Sequence, residues 1–188
     1  YAPISPEELA ENPNRRYLGS SYRAYARYRF TYGRNISFGI TAEKDPGEEF
    51  FQGTQKQGFD FYSSHLYYEN NTFVRKAVVG DYQLQFGQGL TLWSGLAFGK
   101  SADALNAKRT EIGIRPYASV DENLFLRGGA VTLGNEELQF TAFYSANKID
   151  ANIVDTTDTE QLNTISSFQL SGFHRTPNEL IDKDAVTE

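Results

Sequence analysis

The sequence predicts an all-β chain: an antiparallel, up-and-down transmembrane β-barrel, taken as part of a larger barrel, with short helices at both ends. Three observations predict it. Runs of about ten residues alternate apolar and polar side chains with the period of a strand, and that is the length a tilted membrane strand needs. Aromatic residues make up 14% of the chain and glycine contributes 16 of its 188 residues, a composition typical of strand-rich proteins. No run of about 18 apolar residues exists, so a helical membrane protein is excluded while a barrel is not, because half of every barrel strand is polar.

The stretch from Ser21 to Ala42 carries the pattern most plainly. Tyr22, Ala24, Ala26, Tyr28, Phe30 and Tyr32 fall on one face. Arg23, Arg27 and Arg29 fall on the other, as successive strand side chains point to opposite sides. A turn at Gly33–Asn35 follows, and Ile36, Phe38, Ile40 and Ala42 resume the apolar face against Ser37, Gly39, Thr41 and Glu43. The hairpin has two readings. In a soluble sandwich the apolar face meets a core and the arginines meet water. In a membrane barrel the apolar face meets lipid and the arginines a wet lumen. Strand length favours the second, since soluble strands average about 5–6 residues. Tyr22 and Tyr32, at opposite ends of the first run, suit two headgroup-level girdles.

The chain divides into residues 1–20, a short helix and connector; 21–174, the barrel section; and 175–188, a short capped helix. Ser5-Pro6-Glu7-Glu8 is a helix start, with Ser as N-cap, Pro at the first position and Glu three residues after the cap. Asn12-Pro13 ends that helix. After the first hairpin, residues 45–57 read as a polar loop. Strands follow over 59–68 and 73–86, with a turn at 69–72. The glycine-punctuated segment 87–99 contains Trp93, readable either as a membrane-facing anchor or as a plug in the lumen, and 101–106 as a helical turn. Further strands are expected over 110–120, bent at Pro116, and over 124–133, 138–146 and 165–173. Residues 149–163 read as an acidic loop, and Thr176-Pro177-Asn178-Glu179 as a second helix start, followed by a polar helix to the end.

Several function classes are excluded or disfavoured. The chain has no cysteine, which removes disulfide scaffolds, thiolate metal sites and a cysteine nucleophile. Its formal net charge of −6 argues against a nucleic-acid binder. The absence of methionine marks a mature or trimmed segment.

The blocks RYRFTYGRNISFGITAEKDPGE, GFDFYSSHLYY, VVGDYQLQFGQGLTLWSGLAFGKSAD and GIRPYASVDENLFLRGGAVTLG, with SGFHRTPNELIDKDA, resemble a Bacteroidota outer-membrane family. Its members carry helix-hairpin-helix motifs near their N-terminus, followed by a barrel. The resemblance runs from about Pro3 to Ala185 and is most specific over Gly80–Ser101. It implies the outer membrane as location and barrel wall as structure, within a longer precursor. The hairpin motifs that suggest DNA binding in the family have no counterpart here, so no nucleic-acid contact carries over.

The candidate site residues follow from the alternation. Arg23, Arg27, Arg29, Glu43, Asp81, Glu111 and Arg115 are expected to face the lumen, with Asp60 on a further polar face. Both signs occur together, which fits a filled interior of cross-strand ion pairs better than a charged constriction. Tyr22, Tyr28, Phe30, Tyr32, Phe38, Tyr82, Phe140 and Tyr144 are expected to face lipid. Ser63, Ser64 and His65 have the residue types of a hydrolase but no nucleophile elbow, and read better as strand residues. His174 reads as a loop residue. Asp150, Asp155, Asp158 and Glu160 lack EF-hand spacing and read as a solvated loop. No cofactor or metal is expected. The expected partners are outer-membrane lipid and other outer-membrane or periplasmic subunits. The expected role is non-enzymatic transport, channel or scaffold. A soluble carbohydrate-binding module and an outer-membrane hydrolase are the alternatives.

Overall fold

A computed structural model describes residues 4–90, 92–94, 111–154, 164–183 and 186–187. The chain is mostly β, built on an antiparallel sheet of seven strands. The strands are β1 (Ala24–Tyr32), β2 (Ile36–Lys44), β3 (Phe61–Glu69), β4 (Val74–Gln85), β5 (Gly113–Pro116), β6 (Leu126–Gly134) and β7 (Gln139–Ser145). Their order is β1-β2-β3-β4-β6-β7, with β5 attached to β4. Short turns join β1 to β2, β3 to β4 and β6 to β7, as in the three residues between β1 and β2, where Gly33 takes a positive φ of 59°, while the longer loop 45–60 joins β2 to β3. The expected meander is therefore present, with one departure. β3 pairs with Lys76–Gly80 of β4, whereas β5 pairs with Tyr82–Gln85, beyond the point where β3 stops.

Two smaller ladders lie outside the sheet. β9 (Ala151–Val154) pairs with β10 (Thr164–Phe168), and β8 (Lys148–Ile149) pairs with β11 (Val186–Thr187). These correct two expectations. The start of the acidic loop at 149–163 is strand, and the end of the chain returns as strand after α2 (Pro177–Ile181) instead of continuing as helix. Both helix starts form as the sequence requires. In α1 (Pro6–Glu11) and in α2 the cap hydroxyl accepts from the backbone N–H of the third helical residue, and the glutamate there reaches back to the cap N–H. The helical turn expected at 101–106 lies outside the described residues.

Register fixes which side chains share a face. One row across the sheet is Phe30, Phe38, Leu66, Val79, Gly129 and Tyr144. Phe30 is 49% exposed, Leu66 52%, Val79 67% and Tyr144 71%. On the opposite face of β2 and β3, Thr41, Glu43, Ser63 and His65 are buried, and Thr132 of β6 is buried beside Thr141 of β7. An apolar row of the sheet is thus bare while polar side chains of its central strands are covered; β1, at the edge, is exposed on both faces.

The buried apolar cluster is small. Val78, Tyr82, Leu84, Ile114 and Ala130 pack together, and Phe61, Tyr117 and Phe125 form a second group. In the second group Tyr117 stacks on Phe125 with ring centroids 5.0 Å apart.

Candidate functional site: the polar inner face

Two ion-paired carboxylates anchor the buried polar side chains of the sheet. Arg23 pairs with Glu43, whose side chain is almost fully buried, and lies 3.4 Å from Asp45. Asp81 is buried and holds Arg127 through two bonds, at 2.7 and 3.1 Å, while its Oδ2 accepts from the Ser64 N–H at 3.1 Å. A carboxylate gripped by a guanidinium fork and a backbone amide is well compensated for its loss of water.

The segment 117–125 lies against this face and is tied to it by side chains from three strands. Arg27 of β1 donates to the Ala118 carbonyl. His65 of β3 bonds the Tyr117 carbonyl through Nδ1 at 2.7 Å. Gln83 of β4 donates to the Leu124 carbonyl at 2.7 Å. The backbone contributes as well: the Tyr117 N–H donates to the Asp81 carbonyl at 2.9 Å. A stretch without regular structure cannot satisfy its own carbonyls, so polar side chains of the sheet do it instead. Gly39 makes room for the arrangement. It stands opposite His65, and a Cβ there would come within 2.5 Å of the imidazole.

Beside this segment lies a cavity of about 360 Å³ lined by Arg29, Gln83, Gln85, Arg115, Tyr117, Ser119 and Asp121, among others. Arg29 and Arg115 come from β1 and β5, far apart in sequence. Neither has an ion pair among the described residues.

A second polar group sits beyond the ends of β2, β3 and β7. The buried His174 side chain donates from Nδ1 to Asp60 and from Nε2 to Asp150, the latter at 2.7 Å. Its backbone N–H donates to Glu48 Oε1 at 3.0 Å. Lys183 donates to the other Asp60 oxygen at 2.6 Å. Burial alone would lower the His174 pKa, but the bonds to Asp150 and Asp60 overcome it and hold the imidazole cationic, with a pKa raised to about 10. Burial also works against the Asp60 carboxylate, yet His174 and Lys183 keep it below its ordinary value. Burial pushes the Glu122 carboxyl up to about 8 and raises that of Glu48.

Donor atoms of Glu48, Asp60 and His174, and of Glu122, Asp150 and His174, lie within 4.8 Å of one another. Two cations, His174 and Lys183, already offset Asp60 and Asp150, and both imidazole nitrogens are engaged. The group balances its own charge and acts as a clasp joining loop 45–60, the 147–150 turn and the segment 172–183. A cavity of about 450 Å³ adjoins it.

The sequence-derived assignments are met unevenly. Glu43 and Asp81 are buried, while Arg27, which reaches the Ala118 carbonyl, and Arg29, which lines the 360 Å³ cavity, are exposed. Glu111 is exposed and accepts from the Gly87 N–H at 2.7 Å. Tyr28, Phe30, Tyr32, Phe140 and Tyr144 stand on the bare face, and half-buried Phe38 packs against Tyr28 with centroids 6.3 Å apart. Tyr22 is half-exposed and meets Phe50 edge-on at 6.1 Å.

Tyr82 is a correction: it is fully buried, and its hydroxyl donates to the Tyr144 carbonyl at 2.8 Å. Past Gly80, β4 has no bare side, because Asp81, Gln83 and Gln85 are covered as well as Tyr82 and Leu84. His174 is the second correction, a buried hub and not a loose loop residue. Asp150 belongs to its clasp, while Asp155, Asp158 and Glu160 lie outside the described residues. His65 bonds a carbonyl and not a serine, and the Ser63 hydroxyl has no partner, so the two do not form a nucleophile–base pair.

The only signal of the clasp in the sequence was a histidine amid a glycine, an arginine and a helix cap. Its partners lie more than a hundred residues upstream at Glu48 and Asp60. The chain matches no protein-family model, no curated protein and no solved structure.

Proposed function

We propose that this chain forms a section of the wall of an outer-membrane β-barrel and serves transport, channel or scaffold work instead of catalysis. The observation that carries the reading is an apolar row left bare across a sheet whose central strands bury polar side chains. Monomeric soluble proteins rarely leave contiguous apolar patches of more than a few hundred Å² uncovered. Here a row running from Phe30 to Tyr144 is bare among the described residues, while Glu43, His65 and Asp81 are covered. Lipid is the solvent for which that arrangement is favourable.

Dimensions agree with this. β1, β2, β3 and β6 are each nine residues long. At about 3.3 Å per residue and a tilt near 40°, such strands rise about 23 Å, close to the apolar band of a barrel. Aromatic rings gather at both ends of the strands. Tyr22, Phe50, Phe59 and Tyr62 form a chain of edge contacts at one end, and Tyr32, Phe73 and Phe140 are exposed at the other. Girdles of this kind sit at headgroup level. No described helix is long and apolar enough to cross a membrane, and the resemblance to the Bacteroidota family points the same way.

The test is refolding of the chain from urea into detergent micelles and lipid vesicles, read by heat-modifiable gel mobility. The reading expects a folded species that depends on detergent or lipid. A monodisperse, folded, monomeric species in plain buffer would refute it.

A further inference from the structure

We infer that the cavity between Arg29 and Arg115 binds the oxyanion group, carboxylate or phosphate, of a small solute at the inner face. The inference goes beyond the barrel reading and stands on the inner face alone, whatever covers the outer one.

Pairing around the inner face frames the argument. Arg23 is neutralised by Glu43 and Asp45, Arg127 by Asp81 and Arg175 by Glu179. Arg27 spends its guanidinium on the Ala118 carbonyl. Arg29 and Arg115 do none of this, yet β1 and β5, which do not pair with each other, bring them to one cavity. Among the described residues the single carboxylate in its lining is Asp121, and that side chain accepts from the Asn123 N–H at 2.9 Å. Two cations therefore meet one acid already committed to its own turn, which leaves the cavity with excess positive charge.

Pro116, Ala118 and Leu124 complete the lining, and its polar members are held in place. Gln83 is anchored to the Leu124 carbonyl, and Gln85 is buried against the Ser94 carbonyl. Tyr117 is held by Asp81 and His65. A volume of about 360 Å³ lies within the usual range of small-molecule sites, about 300–1,000 Å³. Guanidinium groups present paired donors that match the geometry of carboxylate and phosphate. Like charges gathered in one recess repel unless an anion sits between them, so an oxyanion is the ligand class that the charge and geometry both favour.

The test is calorimetric titration of the detergent-refolded full chain with inorganic phosphate, and separately acetate, at constant ionic strength made up with chloride. The inference expects saturable millimolar binding of at least one oxyanion. Arg29→Gln and Arg115→Gln should each weaken it at least tenfold, and Arg29→Lys should restore part of the loss. Arg34→Gln, in the β1–β2 turn, should leave it unchanged. Gel mobility checks folding of each variant, and if Arg29→Gln does not refold, Arg115→Gln decides the matter. No saturable binding by the parent chain, or equal weakening by Arg34→Gln, overturns the inference. Vesicle insertion is measured on the same preparation. Insertion without oxyanion binding defeats this inference alone, and binding without insertion defeats the barrel reading alone.

Discussion

Val79→Arg separates a lipid-covered sheet from a water-covered one. Val79 is the sixth of twelve residues in β4, is 67% exposed, and stands between Leu66 and Gly129 in the bare row. Its partner Leu66 is the sixth of nine residues in β3, so the row crosses near mid-height of the wall. On a water-exposed surface such a change falls within about ±0.5 kcal/mol. At the midplane of a bilayer an outward arginine costs about 2–4 kcal/mol, a shift of roughly 30-fold to nearly 1,000-fold in the folding equilibrium. The assay is an equilibrium urea titration in lipid vesicles, with Thr31→Arg on the inner side of β1 as control. Thr31→Arg should stay within about 0.5 kcal/mol of the parent. A Val79→Arg cost below that figure, or one equal to the control, would refute the assignment of faces.

Three other outcomes are expected. His174→Gln removes the cation that Asp60 and Asp150 share, and breaking a buried charge network in this way costs about 3–5 kcal/mol; limited proteolysis in loop 45–60 should accelerate, and an unchanged cleavage rate would count against the clasp. Stability should fall as pH rises from about 6 to 10. The raised His174 pKa contributes stability that is complete below its ordinary value of 6.5 and lost through about 10, and the raised Glu122 pKa contributes below 4.5 and is lost through about 8. Asp60, held low, contributes above 3.8 and loses that only in acid; a midpoint that is flat or rising between pH 6 and 10, or a slope unchanged in His174→Gln, contradicts this account. Gly80→Ala should destabilise by roughly 1–3 kcal/mol, because φ is +103° there and a Cβ would lie 2.2 Å from the Ser64 carbonyl oxygen; a neutral result in the urea titration would show that β4 does not need its bend.

Much of the sheet was legible in the residues because strand alternation is local. Tyr28, Phe30, Phe38 and Phe140 declare their face through neighbours two positions away, and the two helix starts announce themselves within four residues. Tyr82 was not legible, because its face is decided by what covers β4 beyond Gly80, where β5 replaces β3 as neighbour. Neither were the clasp around His174 and the inward position of 117–125. Both join residues far apart in the chain, and nothing local at Asp60 or Gln83 names a partner.

The three side chains that grip segment 117–125 carry a consequence for its freedom to move. Tyr117 directly follows β5 and Phe125 directly precedes β6, so the segment is spliced into the sheet at both ends. It cannot swing aside like a tethered ball. Displacing it would mean peeling β5 from β4 or drawing out the first residues of β6, which makes it a fixed sill along the sheet.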